Sequence, residues 1–188
     1  MTLNPYFFQH KLQQKARILC HLAYRNCQSI IELMKEYFND SNFRRFDGKN
    51  DREFPHRDLT DRILGAAIYV HRYLGPGFLE KIYENALCLE FSKRKIIFSQ
   101  QVPIFVRYEG DPVGMHRLDL LIENKIVVEI KACREIEEIH FATVLSYLKA
   151  TQLEAGLILN YFSPTLKIRR VVYSKCFAAE SRSGDDNS

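Results

Sequence analysis

Three charged side chains interrupt two apolar runs near the middle of the chain, where residues 116–132 read HRLDLLIENKIVVEIKA. Asp119 lies in the first run, whereas Glu129 and Lys131 lie in the second. Ionised side chains are costly to bury unless a partner compensates their charge. Two interpretations are open: the charges share a chemical task, or they form ion pairs on a solvated face of a sheet.

Strand geometry predicts that these charges meet. Residues two apart in a strand lie on the same face, so Glu129 and Lys131 share a face. A three-residue hairpin loop over residues 123–125 would place Asp119 directly opposite Glu129 on that face. Arg117 would then lie opposite Lys131. A two-residue loop would shift the pairing by one residue and turn Asp119 to the other side.

A cluster of this composition is suited to metal-assisted hydrolysis. Two neighbouring carboxylates repel each other, and the pKa of one rises unless a cation lies between them. Mg²⁺ prefers oxygen ligands and commonly takes one or two carboxylates together with water and phosphate oxygens. An ion held in this way can polarise a phosphodiester and lower the pKa of a bound water. Lys131 could position or help to deprotonate that water, or neutralise charge that develops on the phosphate.

The composition is that of an ordinary globular protein. The 188 residues are 46% hydrophobic and 27% charged, which suits one sizeable domain with a core. The 27 cations and 23 anions are too balanced to indicate nucleic-acid binding by themselves. Five scattered cysteines, with no CxxC pair, favour free thiols, and no run resembles a signal peptide or a membrane span. We therefore expect a cytoplasmic protein.

The chain divides by pattern into three parts. Residues 1–58 are predicted to be a helical extension followed by a polar linker, which begins near residue 39. The helices could pack on the domain or on a partner, or mediate a homodimer, and the alternative is a flexible or non-native extension. Residues 59–178 are predicted to form the main domain, and residues 179–188 have the composition of a disordered tail.

Within the main domain, the patterns predict a helix capped by Asp58 or Thr60, a break at the GPG of residues 75–77, and a second helix. The second helix is expected to bury Leu79, Ile82, Tyr83, Ala86 and Leu87. A β-rich run, the turn EGDPVG, the two strands described above, a helix after residue 133 and two more strands follow. This order predicts an α/β layer fold with a mixed sheet.

A second motif lies at the start of the second predicted helix. Gly77, Glu80 and Tyr83 spell G-x-x-E-x-x-Y in the segment GPGFLEKIY. Together with GAAIYVHRYLGPG, QVPIFVRY and HRLDLLIENKIVVEIKA, the motif resembles the bacterial GxxExxY protein family of the PD-(D/E)XK nuclease-like superfamily. The resemblance covers roughly residues 59–173.

The resemblance implies a restriction-endonuclease-like αβββαβ core and a nuclease site. Asp119, Glu129, Lys131 and Glu80 would be the catalytic residues. Asp119, Glu129 and Glu80 would hold Mg²⁺ or Mn²⁺. The implied reaction is hydrolysis of phosphodiester bonds in DNA or RNA.

A helical stripe in HFATVLSYL fits the family pattern only in part. His140 and Tyr147 match it, but Thr143 stands where the family often has a glutamine. A threonine is too short to reach as far as a glutamine, so a contact that orients water or phosphate is expected to be missing. Arg117, His140 and Tyr147 are the candidates for substrate binding. The alternative function is a binding or protein-interaction module that keeps the nuclease-like fold without activity.

Overall fold

The computed structural model describes residues 54–174 and, before them, one short strand, all within the unit formed by Ser41–Ser188. In chain order the elements are β1 (Phe43–Phe46), α1 (Arg57–Leu74), α2 (Glu80–Lys93), β2 (Phe98–Tyr108), β3 (Asp111–Ile122), β4 (Ile126–Lys131), α3 (Glu138–Thr151), β5 (Ala155–Asn160) and β6 (Lys167–Tyr173).

The described strands form one six-stranded sheet in the order β1-β6-β5-β4-β3-β2. β4 and β5 are parallel and are connected through α3, whereas all other neighbouring strands are antiparallel. The mixed sheet and the order α2, β2, β3, β4, α3, β5 confirm the predicted αβββαβ core.

Helices cover both faces of the sheet. The core on one face joins α1 and α2 to Ile126, Val128 and Ile130, whereas the core on the other face joins α3 to Val127 and Ile158. β4 and β5 are therefore central strands with both faces covered, which explains their apolar runs. Charged Glu129 in β4 is the exception to this pattern.

The hairpin between β3 and β4 has the predicted register. Residues 123–125 form its loop, and Ile122 pairs with Ile126. Glu123 and Asn124 both adopt positive φ, 49° and 53°. Asparagine tolerates this conformation better than most residues, which suits it to the loop.

Beyond this hairpin the sheet divides. β3 pairs with β4 as far as Leu120 and Val128, and the recorded pairing between these two strands stops there. β3 nevertheless continues to pair with β2 back to Asp111. β2 and β3 therefore extend past β4 as a two-stranded arm, and Asp119 lies at the point where the arm leaves the sheet.

The linker interpretation of residues 39–58 is wrong for part of that stretch. Phe43–Phe46 form β1, which pairs antiparallel with β6, and the side chain of Phe54 is buried in the core. FRRF shows no strict two-residue alternation, and polar residues surround it, so the sequence pattern does not indicate a strand here. The predicted front helices and the predicted tail lie outside the described residues.

Two helix predictions and one turn prediction need correction. α1 begins at Arg57 after His56, without a side-chain cap from Asp58 or Thr60. Leu79 and Ile82, predicted to face inward, are exposed, whereas Glu84 and Glu90 of α2 are buried. The turn before β3 is limited to residues 109–110, because β3 already begins at Asp111.

Gly156 gives a test of the packing between β5 and α3. A Cβ atom added at this position would lie 2.5 Å from Val144 Cγ1, in a layer with no spare room. We expect Gly156→Ala to lower the free energy of unfolding by about 1–3 kcal/mol, measured by denaturant titration. The matched control is Gly114→Ala in the arm, where an added Cβ meets nothing within 4 Å. Equal losses for both variants would contradict this packing.

Candidate active site

The carboxylate of Asp119 lies at the fork between β3 and β4 and is held at both oxygens. Its Oδ2 accepts a hydrogen bond of 2.9 Å from the backbone N–H of Ile130 in β4. Its Oδ1 accepts one of 3.3 Å from the side-chain amide of Gln101 in β2. Asp119 thus connects the arm to the central strand.

Glu129 and Lys131 form a close ion pair on β4. Lys131 Nζ donates to Glu129 Oε1 at 2.6 Å. The other oxygen of this buried side chain, Glu129 Oε2, has no hydrogen-bond partner among the described residues. An orphaned carboxylate oxygen is costly in a native structure and indicates a site built for something further.

Burial and neighbouring charges alter the pKa values in this cluster. Burial, and then the charge of Asp119, raise the pKa of Glu129 to about 7. Burial also raises the pKa of Asp119, against the hydrogen bond from Ile130 and the charge of Lys131. Burial alone would lower the pKa of Lys131, but the charge of Glu129 and the hydrogen bond to it, together with the charges of Glu80 and Asp119, outweigh burial, so that pKa is raised.

Glu80 lies where β4 ends. This exposed residue is the first of α2, and its Oε1 accepts a hydrogen bond of 3.1 Å from the backbone N–H of Ala132. The charge of Glu80 contributes to raising the pKa values of Glu129 and Lys131. The structure therefore brings Asp119, Glu129, Lys131 and Glu80 into one electrostatically coupled group.

Glu84 and Lys81 of α2, which the sequence analysis did not single out, lie near this group, and the charge of Glu84 acts on Asp119. Glu84, one turn after Glu80 on α2, is buried, and its Oε1 accepts hydrogen bonds of 2.8 Å from both Gln100 and Gln101. Lys81 Nζ lies 3.0 Å from the same oxygen and compensates its charge. A spacing of four between two acids on a helix was the available sequence signal, since such residues share a face.

The candidate residues of α3 form different hydrogen bonds near the group of Asp119, Glu129, Lys131 and Glu80. The hydroxyl of Tyr147 donates to the backbone C=O of Arg117 at 3.3 Å, and burial, followed by the charges of Glu129 and Asp119, raises its pKa. Tyr147 thus fastens the arm to α3. Arg117 itself has an exposed side chain.

His140 and Thr143 are engaged within their own helix. His140 Nδ1 accepts a hydrogen bond of 2.9 Å from the backbone N–H of Glu137 as part of a capping box. Burial and the charge of Lys131 lower the pKa of His140. The Thr143 hydroxyl donates to the backbone C=O of Ile139 at 2.8 Å. Within residues 54–174, neither side chain forms a hydrogen bond with Asp119, Glu129 or Glu80.

The glycine and tyrosine of the G-x-x-E-x-x-Y motif have structural contacts. The hydroxyl of buried Tyr83 donates to the C=O of Gly75 at 2.7 Å and accepts from the N–H of Phe78 at 3.2 Å. Its ring stacks on Tyr161 with centroids 4.4 Å apart. Gly77 adopts φ 111°, a conformation that favours glycine. The motif therefore holds the turn that aims α2, and with it Glu80, at the end of β4.

The donor set suits a hard divalent cation, although the side chains are not arranged around one. Asp119, Glu129 and Glu80 could supply only oxygen ligands, and Glu129 Oε2 is a carboxylate oxygen without a competing hydrogen bond among the described residues. Over residues 54–174, no three His, Cys, Asp or Glu side chains form a group that could hold a metal ion as placed. The Lys131 ammonium supplies the positive charge beside Glu129 instead.

Comparison with known proteins gives one family match. The model of the PD-(D/E)XK nuclease superfamily matches residues 57–171, from the start of α1 into β6. A solved structure titled "Crystal structure of SSO0001" aligns at 17% identity over 67% of this chain and 60% of that chain, with a TM-score of 0.41. The chain thus spans less than two thirds of that structure. No curated protein matches the chain.

The raised pKa of Glu129 predicts a pH-dependent stability. Its pKa is about 7 in the folded protein against the ordinary value of 4.5. Between these values the folded protein retains a proton that the unfolded chain has released. This contribution to the free energy of unfolding is fully present below pH 4.5 and is lost as the pH rises through about 7.

Denaturant titrations over this pH range, with a chelator present, should show a loss for the wild type that is absent from Glu129→Gln. The control is Glu123→Gln in the hairpin loop, which removes a carboxylate outside the site. Parallel pH profiles for the wild type and Glu129→Gln would contradict the raised pKa.

Proposed function

The chain belongs to the PD-(D/E)XK nuclease superfamily, and we propose that it is a metal-dependent nuclease that hydrolyses phosphodiester bonds in DNA, with RNA as the alternative substrate. The observation that carries this proposal is the coupled group of Asp119, Glu129 and Lys131 at the fork of the sheet, with Glu129 Oε2 unpartnered. A set of surface ion pairs would leave no buried oxygen without a partner.

Asp119, Glu129 and Glu80 would hold Mg²⁺ or Mn²⁺ in this proposal. When bound, such an ion polarises the phosphodiester and acidifies a water molecule. Asp119 contributes a carboxylate whose direction is fixed by two hydrogen bonds. Glu129 contributes the oxygen that is still free.

Lys131 is best suited to neutralising charge in the transition state. Because its pKa is raised by Glu129, despite burial, its amine is protonated at neutral pH. A protonated amine donates hydrogen bonds and cannot remove a proton from water. This supports contact with a phosphate oxygen over general-base catalysis.

We further assign the chain to the GxxExxY group within the superfamily. The assignment is supported by the joint action of Gly77 and Tyr83, which aim Glu80 at the end of β4. Arg117, His140 and Tyr147 remain the candidates for substrate contact. A cytoplasmic location, expected from the scattered cysteines, is part of the same proposal, as is a partner or second copy held by the front helices.

Two observations favour the rival function, a binding module without activity. Thr143 is bonded within its helix, and no metal-holding group of three side chains is formed in the part of the chain that the structure describes. Such a module would bind nucleic acid in the same way with and without a divalent cation. Metal dependence therefore separates the two functions.

The nuclease proposal predicts a large effect of one substitution. Lys131→Met should lower the rate of cleavage of single- or double-stranded DNA or RNA by at least about 100-fold, because the charge on the phosphate would no longer be neutralised. The matched control is Lys125→Met at the exposed loop of the same hairpin, which should retain the wild-type rate. Cleavage would be followed on gels with Mg²⁺ or Mn²⁺ and repeated with a chelator.

Calorimetry provides the second arm of this test. Wild-type protein should bind Mn²⁺, and Glu129→Ala should lose that binding. No cleavage of any of these substrates, or cleavage that Lys131→Met leaves unchanged, would overturn the proposal. Nucleic-acid binding without a metal effect would support the binding module instead.

A further inference from the structure

The backbone of β2 is distorted directly opposite Asp119. Gln100 pairs with Leu120 and Val102 pairs with Leu118, so Gln101 and Asp119 face each other, but they are not recorded as a pair. Gln101 has a φ of 54°, an unfavourable conformation for a residue with a side chain. Such a conformation persists only when its surroundings hold it, and it is enriched at functional sites.

Two hydrogen bonds of its side chain hold Gln101 in this backbone conformation. Its Nε2 donates to Glu84 Oε1 at 2.8 Å and to Asp119 Oδ1 at 3.3 Å. A primary amide nitrogen carries two hydrogens, so it can serve both carboxylates at once. Gln101 therefore bridges a buried acid of α2 and the acid at the fork.

Glu84 is suited to act as the anchor of this bridge. It is 4% exposed, and its charge is compensated by Lys81 and by the amides of Gln100 and Gln101. A carboxylate with this many partners has a defined position. Among the residues that the structure describes, Gln101 is the one side chain that bonds to both Glu84 and Asp119, because Gln100 donates to Glu84 and Asn85 but not to Asp119.

We propose that Gln101 is a positioning residue for Asp119, whose carboxylate it holds in one orientation between Glu84 and the backbone of β4. The role in catalysis rests on the proposed nuclease function. With the amide removed, Asp119 would keep only the hydrogen bond from Ile130 and could rotate about its last side-chain bond. Groups that orient metal-binding residues typically change metal affinity or activity by 10–100-fold when they are substituted.

The first experiment compares Gln101→Met with Gln100→Met, a neighbour that donates to the same Glu84 oxygen. We expect Gln101→Met to weaken Mn²⁺ binding about 10-fold in calorimetry and to lower kcat more than it raises KM. Gln100→Met should change each value less than about 3-fold. Gln101→Asn keeps an amide in β2 but is one methylene too short for the bridge, and it should weaken Mn²⁺ binding in the same direction. Equal effects of Gln101→Met and Gln100→Met would overturn the proposal.

A second experiment needs neither metal nor substrate. In a double-mutant cycle of unfolding, Gln101→Met combined with Asp119→Ala should lose less stability than the sum of the two single variants, because both remove the same hydrogen bond. Strict additivity would overturn the positioning role. If the wild type neither binds Mn²⁺ nor cleaves nucleic acid, the nuclease proposal fails, whereas coupling in this cycle would still support the bridge.

Discussion

A buried carboxylate on a central strand can be ionised only if its surroundings compensate for the water it has lost. Glu129 is in this position in β4, which is covered on both faces, and Asp119 adds a second negative charge beside it. The elements around it are arranged to supply compensation. β4 itself contributes Lys131, two residues further along the same face, and this spacing lets the ammonium reach one oxygen while the other stays open.

The pairing between β3 and β4 ends next to Asp119, and this is the second feature on which the candidate site depends. A continuous ladder between β3 and β4 would occupy the space in which a site could form. Instead, the arm leaves the sheet at Asp119, and the carboxylate accepts the N–H of Ile130. A backbone polar group of β4 is thus satisfied by a side chain where the pairing with β3 has ended. The hydroxyl of Tyr147 in α3 bonds to the arm at the backbone C=O of Arg117.

Helix α2 holds several side chains of the candidate site in position. Glu80 accepts the N–H of Ala132 beyond β4, and Glu84, one turn later, holds the amide of Gln101 on β2. The two acids therefore connect one helix to two strands that are not neighbours in the sheet. Tyr83, between them, faces the core and stacks on Tyr161, so packing and polar contacts fix the same helix orientation.

Sequence patterns were sufficient for the parts of this arrangement that depend on periodicity. The three-residue loop and the two-residue alternation of strands predicted the register of β3 and β4 from Ile122 to Leu120. The predicted opposition of Asp119 to Glu129 and of Arg117 to Lys131 lies beyond the last pair of that ladder, although the charge of Asp119 acts on Glu129. The bridge through Gln101 could not be found in this way, because it depends on a left-handed backbone conformation inside a strand. The exposure of Leu79 and Ile82 was also not predicted. Buried glutamates on α2 interrupt its apolar stripe, so the pattern of apolar residues does not show which side of the helix is buried.

The contacts of the G-x-x-E-x-x-Y motif divide its letters into two classes. Gly77 and Tyr83 maintain the entry into α2, whereas Glu80 is exposed and accepts a hydrogen bond from Ala132 beyond the end of β4. Selection for folding alone would therefore preserve the glycine and the tyrosine, whether or not the proposed activity is kept. A relative that has both but lacks the glutamate is expected to keep the entry into the helix while it lacks one carboxylate of the proposed metal site, so the glutamate is the letter that would distinguish members with the proposed activity.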